Sequence, residues 1–176
     1  MQLKPDLLVF ADGTAVGAQD WERRRAELYD AIVPTEYGGM PPKGEKTTAI
    51  RRSSNTVRDW GGVNFSVYEV RTVFADGQEI SFTLSLWRPL GDGPFPVVLC
   101  GDGCWRYFDD SIVQQVVQRG NIAAVFDRTE LAADNKGQYR DTGLYRLFPA
   151  AGFGALAPWA WGYHRAVDVL ERMPEV

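Results

Sequence analysis

Two short, unbroken apolar runs constrain this chain more than any other feature. Phe95-Pro96-Val97-Val98-Leu99-Cys100 ends in Gly101-Asp102-Gly103, and Asn121-Ile122-Ala123-Ala124-Val125-Phe126 ends in Asp127-Arg128-Thr129-Glu130. Runs of that length without polar alternation read as strands covered on both faces, as in a parallel sheet packed between helices. Between them, Ser111 to Arg119 has helical character and is stopped by Gly120. Strand, helix and strand in that order make a parallel crossover, so the fold class is α/β.

The flanking segments extend this reading. Val63, Phe65 and Val67 open an alternating strand that runs to Phe74, with the alternation broken at Glu69. Ala75-Asp76-Gly77 is a turn signal, after which Ile80, Phe82, Leu84 and Leu86 alternate strictly up to Arg88-Pro89. Together they predict an antiparallel hairpin, followed by a second turn at Gly91-Asp92-Gly93-Pro94. Upstream, Asp20 precedes a helical pattern as an expected N-cap, with Trp21, Arg25, Leu28 and Ile32 on one face. Pro34, Gly38-Gly39 and Pro41-Pro42 are expected to break the chain into an extended loop. After a long loop from about residue 127 to 151, Leu156, Trp159, Ala160, Tyr163, Val167 and Leu170 stand at helical spacing. On that spacing Trp159 belongs to the core, whereas Trp161 points elsewhere. The whole of 1–176 reads as one domain, with a helix and loop over 1–45 and the sheet over 46–176.

Composition narrows the function classes. At 45% hydrophobic and 24% charged residues the chain is an ordinary globular one rather than a disordered one. A net charge of −4 argues against a nucleic-acid partner, which needs a basic face. Arg23-Arg24-Arg25 is the densest basic cluster, and Glu22 and Glu27 beside it make a solvated helix face the expected role. No segment reaches the roughly 18 apolar residues of a membrane span, and Met1 to Asp6 lacks the pattern of an export signal. Nothing in the sequence assigns a compartment. Cys100 and Cys104 are too few for a disulfide framework and lack metal-ligand neighbours.

The segment Gly154-Ala155-Leu156-Ala157-Pro158-Trp159-Ala160-Trp161-Gly162-Tyr163-His164-Arg165-Ala166-Val167-Asp168-Val169-Leu170-Glu171 resembles glucuronoyl esterases and related acetyl-xylan-esterase-like proteins. In that family a Trp-Ala-Trp-Gly helix, followed by Arg and Asp-x-Leu-Glu, lies immediately before the nucleophile strand. Trp21 to Glu27, Tyr37-Gly38 to Pro41, and Arg119-Gly120 before Ile122 to Phe126 resemble the family as well, so the likeness covers nearly the whole chain. Pro158 stands where the family commonly has Ala.

The resemblance implies an α/β-hydrolase fold and a serine nucleophile in a Gly-x-Ser-Arg-x-Gly turn. Its hydroxyl attacks an ester carbonyl, a histidine takes the proton, and an acid orients the histidine. In this fold the triad order is Ser, acid, His. No Gly-x-Ser-x-Gly occurs in the sequence, and the nucleophile is expected shortly after Glu175-Val176. His164, the one histidine, precedes that point and is expected to be a packing or surface residue. The fold is therefore an incomplete α/β-hydrolase sheet without the nucleophile strand and later elements. The resemblance implies neither a metal nor an organic cofactor, and a carbohydrate-linked ester as substrate.

Residues at strand ends are the candidates that remain. Gly101-Asp102-Gly103-Cys104-Trp105-Arg106 stands where hydrolases of this fold often place an oxyanion-hole amide, which makes Gly103, Cys104 and Trp105 candidates for it. Trp105 is suited to stack on a sugar ring and Arg106 to pair with a uronate carboxylate. Asp127 and Arg128, at the second strand end, are further substrate-contact candidates. A cysteine-peptidase reading of Cys100-Gly101-Asp102-Gly103-Cys104-Trp105 with His164 and Asn135 fails on spacing, since one residue is inserted and a strand surrounds the cysteine. A non-catalytic scaffold derived from a hydrolase is the other alternative. With the nucleophile strand absent, the Val97–Cys100 strand is expected to form a bare edge. Its cover is then a companion polypeptide carrying the rest of the hydrolase, or a second copy.

Overall fold

A computed structural model describes residues 6–176. Met1–Pro5, most of the stretch read for an export signal, lie outside the described residues. Helix α1 spans Trp21–Tyr37, followed by strands β1 (Lys46–Val57), β2 (Val63–Val73), β3 (Glu79–Arg88) and β4 (Val97–Cys100). Helix α2 (Asp110–Gln118), strand β5 (Ile122–Phe126), the single turn α3 (Leu144–Leu147) and helix α4 (Leu156–Leu170) complete the order.

The five strands form one sheet in the order β1-β2-β3-β5-β4. The pairs β1/β2, β2/β3 and β3/β5 are antiparallel, and β4/β5 is parallel, with Val97 opposite Ile122 and Cys100 opposite Val125. β5 is thus an interior strand, and its residues alternate between two separate cores. Ile122, Ala124 and Phe126 join Val70, Phe82, Leu84 and Leu86 under Trp161, Ala166, Val169 and Leu170 of α4. Ala123 faces the other way, with Val113 and Val117 of α2 and the Trp87 ring. That two-sided cover is what an unbroken apolar strand requires. β4 has the same composition but lies at the sheet edge, and Val98 is 41% exposed. Phe95 N–H donates to Glu175 O at 2.8 Å, which brings residues 174–176 to the foot of β4.

Several local expectations need correction. β1 was not foreseen. Of its twelve residues only Thr47 is buried, so it carries no apolar face to read. A register shift between Arg51 and Ser53, and the charged Arg51 and Arg52, suit an edge strand. α1 continues through Pro34 to Tyr37 and stops at Gly38, whose φ of 67° is the left-handed conformation that glycine adopts freely. The Asp20 carboxylate accepts from Gly17 N at 3.1 Å and so closes the preceding 3₁₀ turn rather than capping α1.

The faces assigned to both long helices also shift. Trp21 and Ile32 are exposed, and the buried residue of α1 is Arg24. Its guanidinium donates to Asp6 O at 2.6 Å and pairs with Glu27, tying the preceding loop to the helix. The basic run is therefore solvated only in part. In α4, Leu156 and Val167 are exposed, while Ala157, Pro158, Trp161, Gly162, Arg165, Ala166, Val169 and Leu170 face inward. Trp161 is 1% exposed, and its indole N–H donates to Pro42 O at 2.7 Å. Arg165 donates to Lys43 O at 2.9 Å and Arg172 to Thr47 O at 2.8 Å. These polar side chains lie on the inner face because the lead-in to β1 offers them carbonyl acceptors, which a hydrophobicity count does not register.

Candidate functional site

The parallel strands β4 and β5 end side by side, and their carboxyl-terminal loops form one surface. Such ends gather ligands in open α/β sheets because the chain leaves the sheet there with free backbone groups. Three close packings set its shape. A Cβ on Gly101 would lie 2.7 Å from the Phe126 ring and 2.8 Å from the Tyr163 ring. One on Gly103 would meet Phe126 O at 2.9 Å. The Gly101 amide donates to the Tyr163 hydroxyl at 2.7 Å, fastening the end of β4 to α4.

Beyond Gly101 the two loops are cross-linked. Asp102 and Asp127 form an isolated antiparallel bridge, and Arg128 N–H donates to Gly101 O at 2.9 Å. The Arg128 guanidinium pairs with Asp102 and, at 3.1 Å, with Asp134. It also lies 4.2 Å from the centre of the Trp159 ring, whose N–H donates to Ala132 O at 2.8 Å. Asp127 accepts from Thr129 N at 2.8 Å and from the Thr129 hydroxyl, which closes the 3₁₀ turn Arg128–Glu130. Asp127 and Arg128 are thus occupied within the protein, where they hold the strand ends together. Sequence reading put Trp159 in the core; instead it forms the half-buried floor under Arg128.

Gly103, Cys104 and Trp105 form a single 3₁₀ turn. The Trp105 amide donates to Asp102 O at 3.0 Å and the Gly103 amide faces Phe126 O across the Asp102/Asp127 bridge, whereas the Cys104 amide has no backbone carbonyl partner among the described residues. Burial, then the Asp127 carboxylate, pushes the Cys104 thiol up, and burial does the same to Cys100. Both shifts disfavour thiolate, against any nucleophilic role. His164 sits elsewhere, in an open hollow with Tyr29, Met40, Lys43 and Glu171 between α1 and α4. Desolvation there, then Arg165, lowers its basicity. Neither cysteine lines that hollow. Among the described residues no group of three His, Cys, Asp or Glu is placed to hold a metal ion, and no helix is long and apolar enough to cross a membrane.

Sequence reasoning missed Tyr107, which is 70% exposed beside Trp105, with the two rings 6.4 Å apart and 19° from parallel. Its only advance signal is an aromatic residue two positions after Trp105 in a polar loop.

A sheet of this order, with helices on both faces and loops gathered at the ends of two parallel strands, is part of an α/β-hydrolase fold. The chain belongs to the glucuronoyl esterase family: the family described as "Glucuronyl esterase, fungi" matches residues 71–176. A 4-O-methyl-glucuronoyl methylesterase of Podospora anserina is 31% identical, aligned over 94% of this chain and 31% of its own length. The structure of a glucuronoyl esterase from Teredinibacter turnerae T7901 superposes with a TM-score of 0.79 at 24% identity, covering 98% of this chain and 47% of that one. A mutant glucuronoyl esterase from Sporotrichum thermophile, in complex with methyl 4-O-methyl-beta-D-glucopyranuronate, gives a TM-score of 0.70 at 29% identity, covering 96% and 40%. The chain spans about a third of the length of the curated relatives it matches.

Proposed function

We propose that this chain is the N-terminal portion of a serine carboxylic-ester hydrolase acting on carbohydrate-linked esters, of the glucuronoyl or acetyl type. The catalytic serine, acid and histidine then lie outside it, and the isolated chain is inactive until a complementing part is supplied. The observation that carries this reading is the strand-end face beside the open edge of β4. A strand added there, parallel to β4, would deliver its own carboxyl end next to the Gly103–Trp105 turn, where an attacking hydroxyl belongs. Glu175, whose carbonyl accepts from Phe95 N, lies at the foot of that edge.

In this reading the Gly103 and Cys104 amides are the oxyanion donors. The Cys104 amide is free of a carbonyl partner and the Gly103–Phe126 packing holds the turn in place, so they cost little reorganisation as negative charge develops on the ester oxygen. The Trp105 amide is already committed to Asp102. Its ring and the Arg106 guanidinium serve the sugar and its carboxyl group. Asp127 and Arg128 contact substrate only at the rim and chiefly hold the two loops in register. The complement is a companion polypeptide carrying the rest of the hydrolase, or a second copy that covers the same edge.

The test is reconstitution. The chain is co-expressed with a polypeptide bearing Gly-x-Ser-x-Gly and a later histidine from a glucuronoyl esterase, and hydrolysis of a methyl glucuronate ester is followed. Native mass spectrometry after fluorophosphonate treatment should show a labelled partner bound to an unlabelled 176-residue chain. A complex that forms but neither hydrolyses esters nor takes the label would leave the non-catalytic scaffold as the function.

A further inference from the structure

We propose that a cleft at the foot of the sheet, lined by Trp60, Leu90, Gln114 and Gln118, binds a small uncharged phenol. This goes beyond ester hydrolysis and does not depend on it, because the cleft lies at the end of the sheet opposite the strand-end face. β3 runs antiparallel to β5, with Leu84 opposite Phe126 and Trp87 opposite Ala123. Pro89 and Leu90 therefore stand beyond the amino end of β5, whereas Gly103, Cys104 and Trp105 follow the carboxyl end of β4.

The cleft holds about 330 Å³ between the Arg58–Trp60 turn, the end of β3 and the second half of α2. Ligand sites are typically apolar concavities of about 300–1,000 Å³ with a few placed polar groups, so this one suits a small occupant. Its base is formed by Val63 and Val117, both 5% exposed and part of the smaller core. Trp60 packs against the same core and is half-buried, so its ring is held in place while part of it meets solvent. Leu90 is 61% exposed at the lip, and it lies close over Gly62, where a Cβ would stand 2.8 Å from the Leu90 Cδ1. A large apolar side chain kept in water beside an apolar hollow forgoes burial that an occupant would supply.

The polar groups decide the chemistry of the occupant. Gln114 and Gln118 stand one turn apart on α2 and both line the cleft. Their side-chain amides have no hydrogen-bond partner among the described residues, whereas the Gln115 side chain between them accepts from Arg119 at 3.5 Å. The Trp60 indole N–H is unpartnered there too, unlike those of Trp159 and Trp161. No charged side chain among the described residues lines the cleft. An ion entering it would lose its water with no opposite charge in return, which selects an uncharged ligand. A ligand dense in hydroxyls would lose more hydrogen bonds than two amides and one indole give back. A phenol suits both parts of the lining. Its ring packs on the Trp60 face with Pro89 and Leu90, and its hydroxyl donates to one glutamine carbonyl while accepting from an amide or indole N–H.

The experiment is a titration of the isotope-labelled 176-residue protein with para-cresol, para-toluate or toluene at neutral pH, followed by nitrogen–proton NMR. Para-cresol is expected to shift the Trp60 indole signal and the Gln114 and Gln118 side-chain amide signals to saturation. Para-toluate, the same ring bearing a carboxylate, is expected to bind about tenfold more weakly or less. Removing Trp60 would disturb the core it packs on, so the test variant is Gln114→Leu with Gln118→Leu, which keeps good helix formers on α2. It is expected to hold para-cresol about tenfold more weakly and toluene no more weakly than wild type, with unchanged circular dichroism. The cleft is overturned as a phenol site if para-cresol leaves these signals unmoved or moves them without saturation. It is equally overturned if para-toluate binds as tightly as para-cresol, or if the folded double variant keeps wild-type affinity for para-cresol. No hydrolysis and no complementing polypeptide enter this titration, so the phenol site and the ester-hydrolase reading fail separately.

Discussion

At Gly162 a hydrogen in place of a methyl group decides whether α4 can lie on the sheet. A Cβ there would stand 2.8 Å from the Phe126 ring and overlap the Leu131 side chain. Phe126 and Leu131 are both fully buried, and Phe126 already packs against Phe82 and Tyr163, so neither ring nor branch has room to retreat. Gly162→Ala should therefore destabilise the fold by about 1–3 kcal/mol despite the better helix propensity of alanine. Urea unfolding read by circular dichroism would show it; a midpoint equal to or above wild type would mean that α4 can shift outward at no cost. The same position explains why the Trp-Ala-Trp-Gly block is informative. Trp159 stacks under Arg128, Trp161 fills the core and bonds Pro42, and Gly162 admits Phe126. These three residues answer to three different neighbours.

At the scale of elements, the end of β3 shows how the sheet handles an unpaired stretch. β5 pairs β3 only from Leu84 to Trp87, which leaves Thr83 beyond the ladder. The Glu130 carboxylate accepts from Thr83 N at 3.1 Å and 3.2 Å and so takes the place of a missing strand. Burial raises the Glu130 carboxyl above its ordinary value of 4.5, with the Thr83 amide opposing the shift. The folded state therefore holds that proton more tightly than the unfolded one. The stability this contributes is complete below about pH 4.5 and is lost as pH rises through the raised folded value. Glu130→Gln should remove that component: the difference in stability between pH 4.5 and pH 7 becomes more favourable to neutral pH in the variant. Thermal midpoints measured across that range would refute it if the two profiles ran parallel. Legibility in the sequence divides along the same line between local pattern and long-range partner. The hairpin turn, β3, β5 and α2 were readable because their own residues alternate, run apolar or end at a glycine such as Gly120, whereas the Asp109 cap, which accepts from Ser111 N at 2.9 Å, was not foreseen. β1 was not, because Lys46–Val57 is polar and owes its pairing to β2. The inner face of α4 was misread because Arg165 and Trp161 are held by carbonyls more than a hundred residues away. For the candidate site, the strand-end loops were legible as loops. The Arg128 hub and the partnership of Tyr107 with Trp105 depend on packing that no spacing reveals.

For the whole molecule, the open side of β4 is the feature on which the proposed assembly turns. Every other strand is either paired on both sides or, like β1, made polar and charged along its edge. β4 is apolar, four residues long and paired only with β5. Its outward amides and carbonyls, with Val98 exposed beside them, form a template for another strand. If a companion part or a second copy completes the sheet, as proposed, the contact runs along this edge. A charge placed on it should then weaken the association without touching either core. Val98→Lys is expected to leave thermal stability within about 0.5 kcal/mol, because Val98 stands at the sheet edge, 41% exposed and outside both cores. It should also lower the yield of reconstituted complex, or shift self-associated chain to monomer, by about tenfold in dissociation constant. Analytical ultracentrifugation with and without the complementing polypeptide measures both. A wild-type chain that stays monomeric at high concentration, together with a Val98→Lys chain that complements as well as wild type, would show that the edge is left open. The sheet would then be completed elsewhere. The opposite result would support a second half of the hydrolase beside the Gly103–Trp105 turn, where its serine would attack the ester carbonyl carbon while the turn holds the carbonyl oxygen.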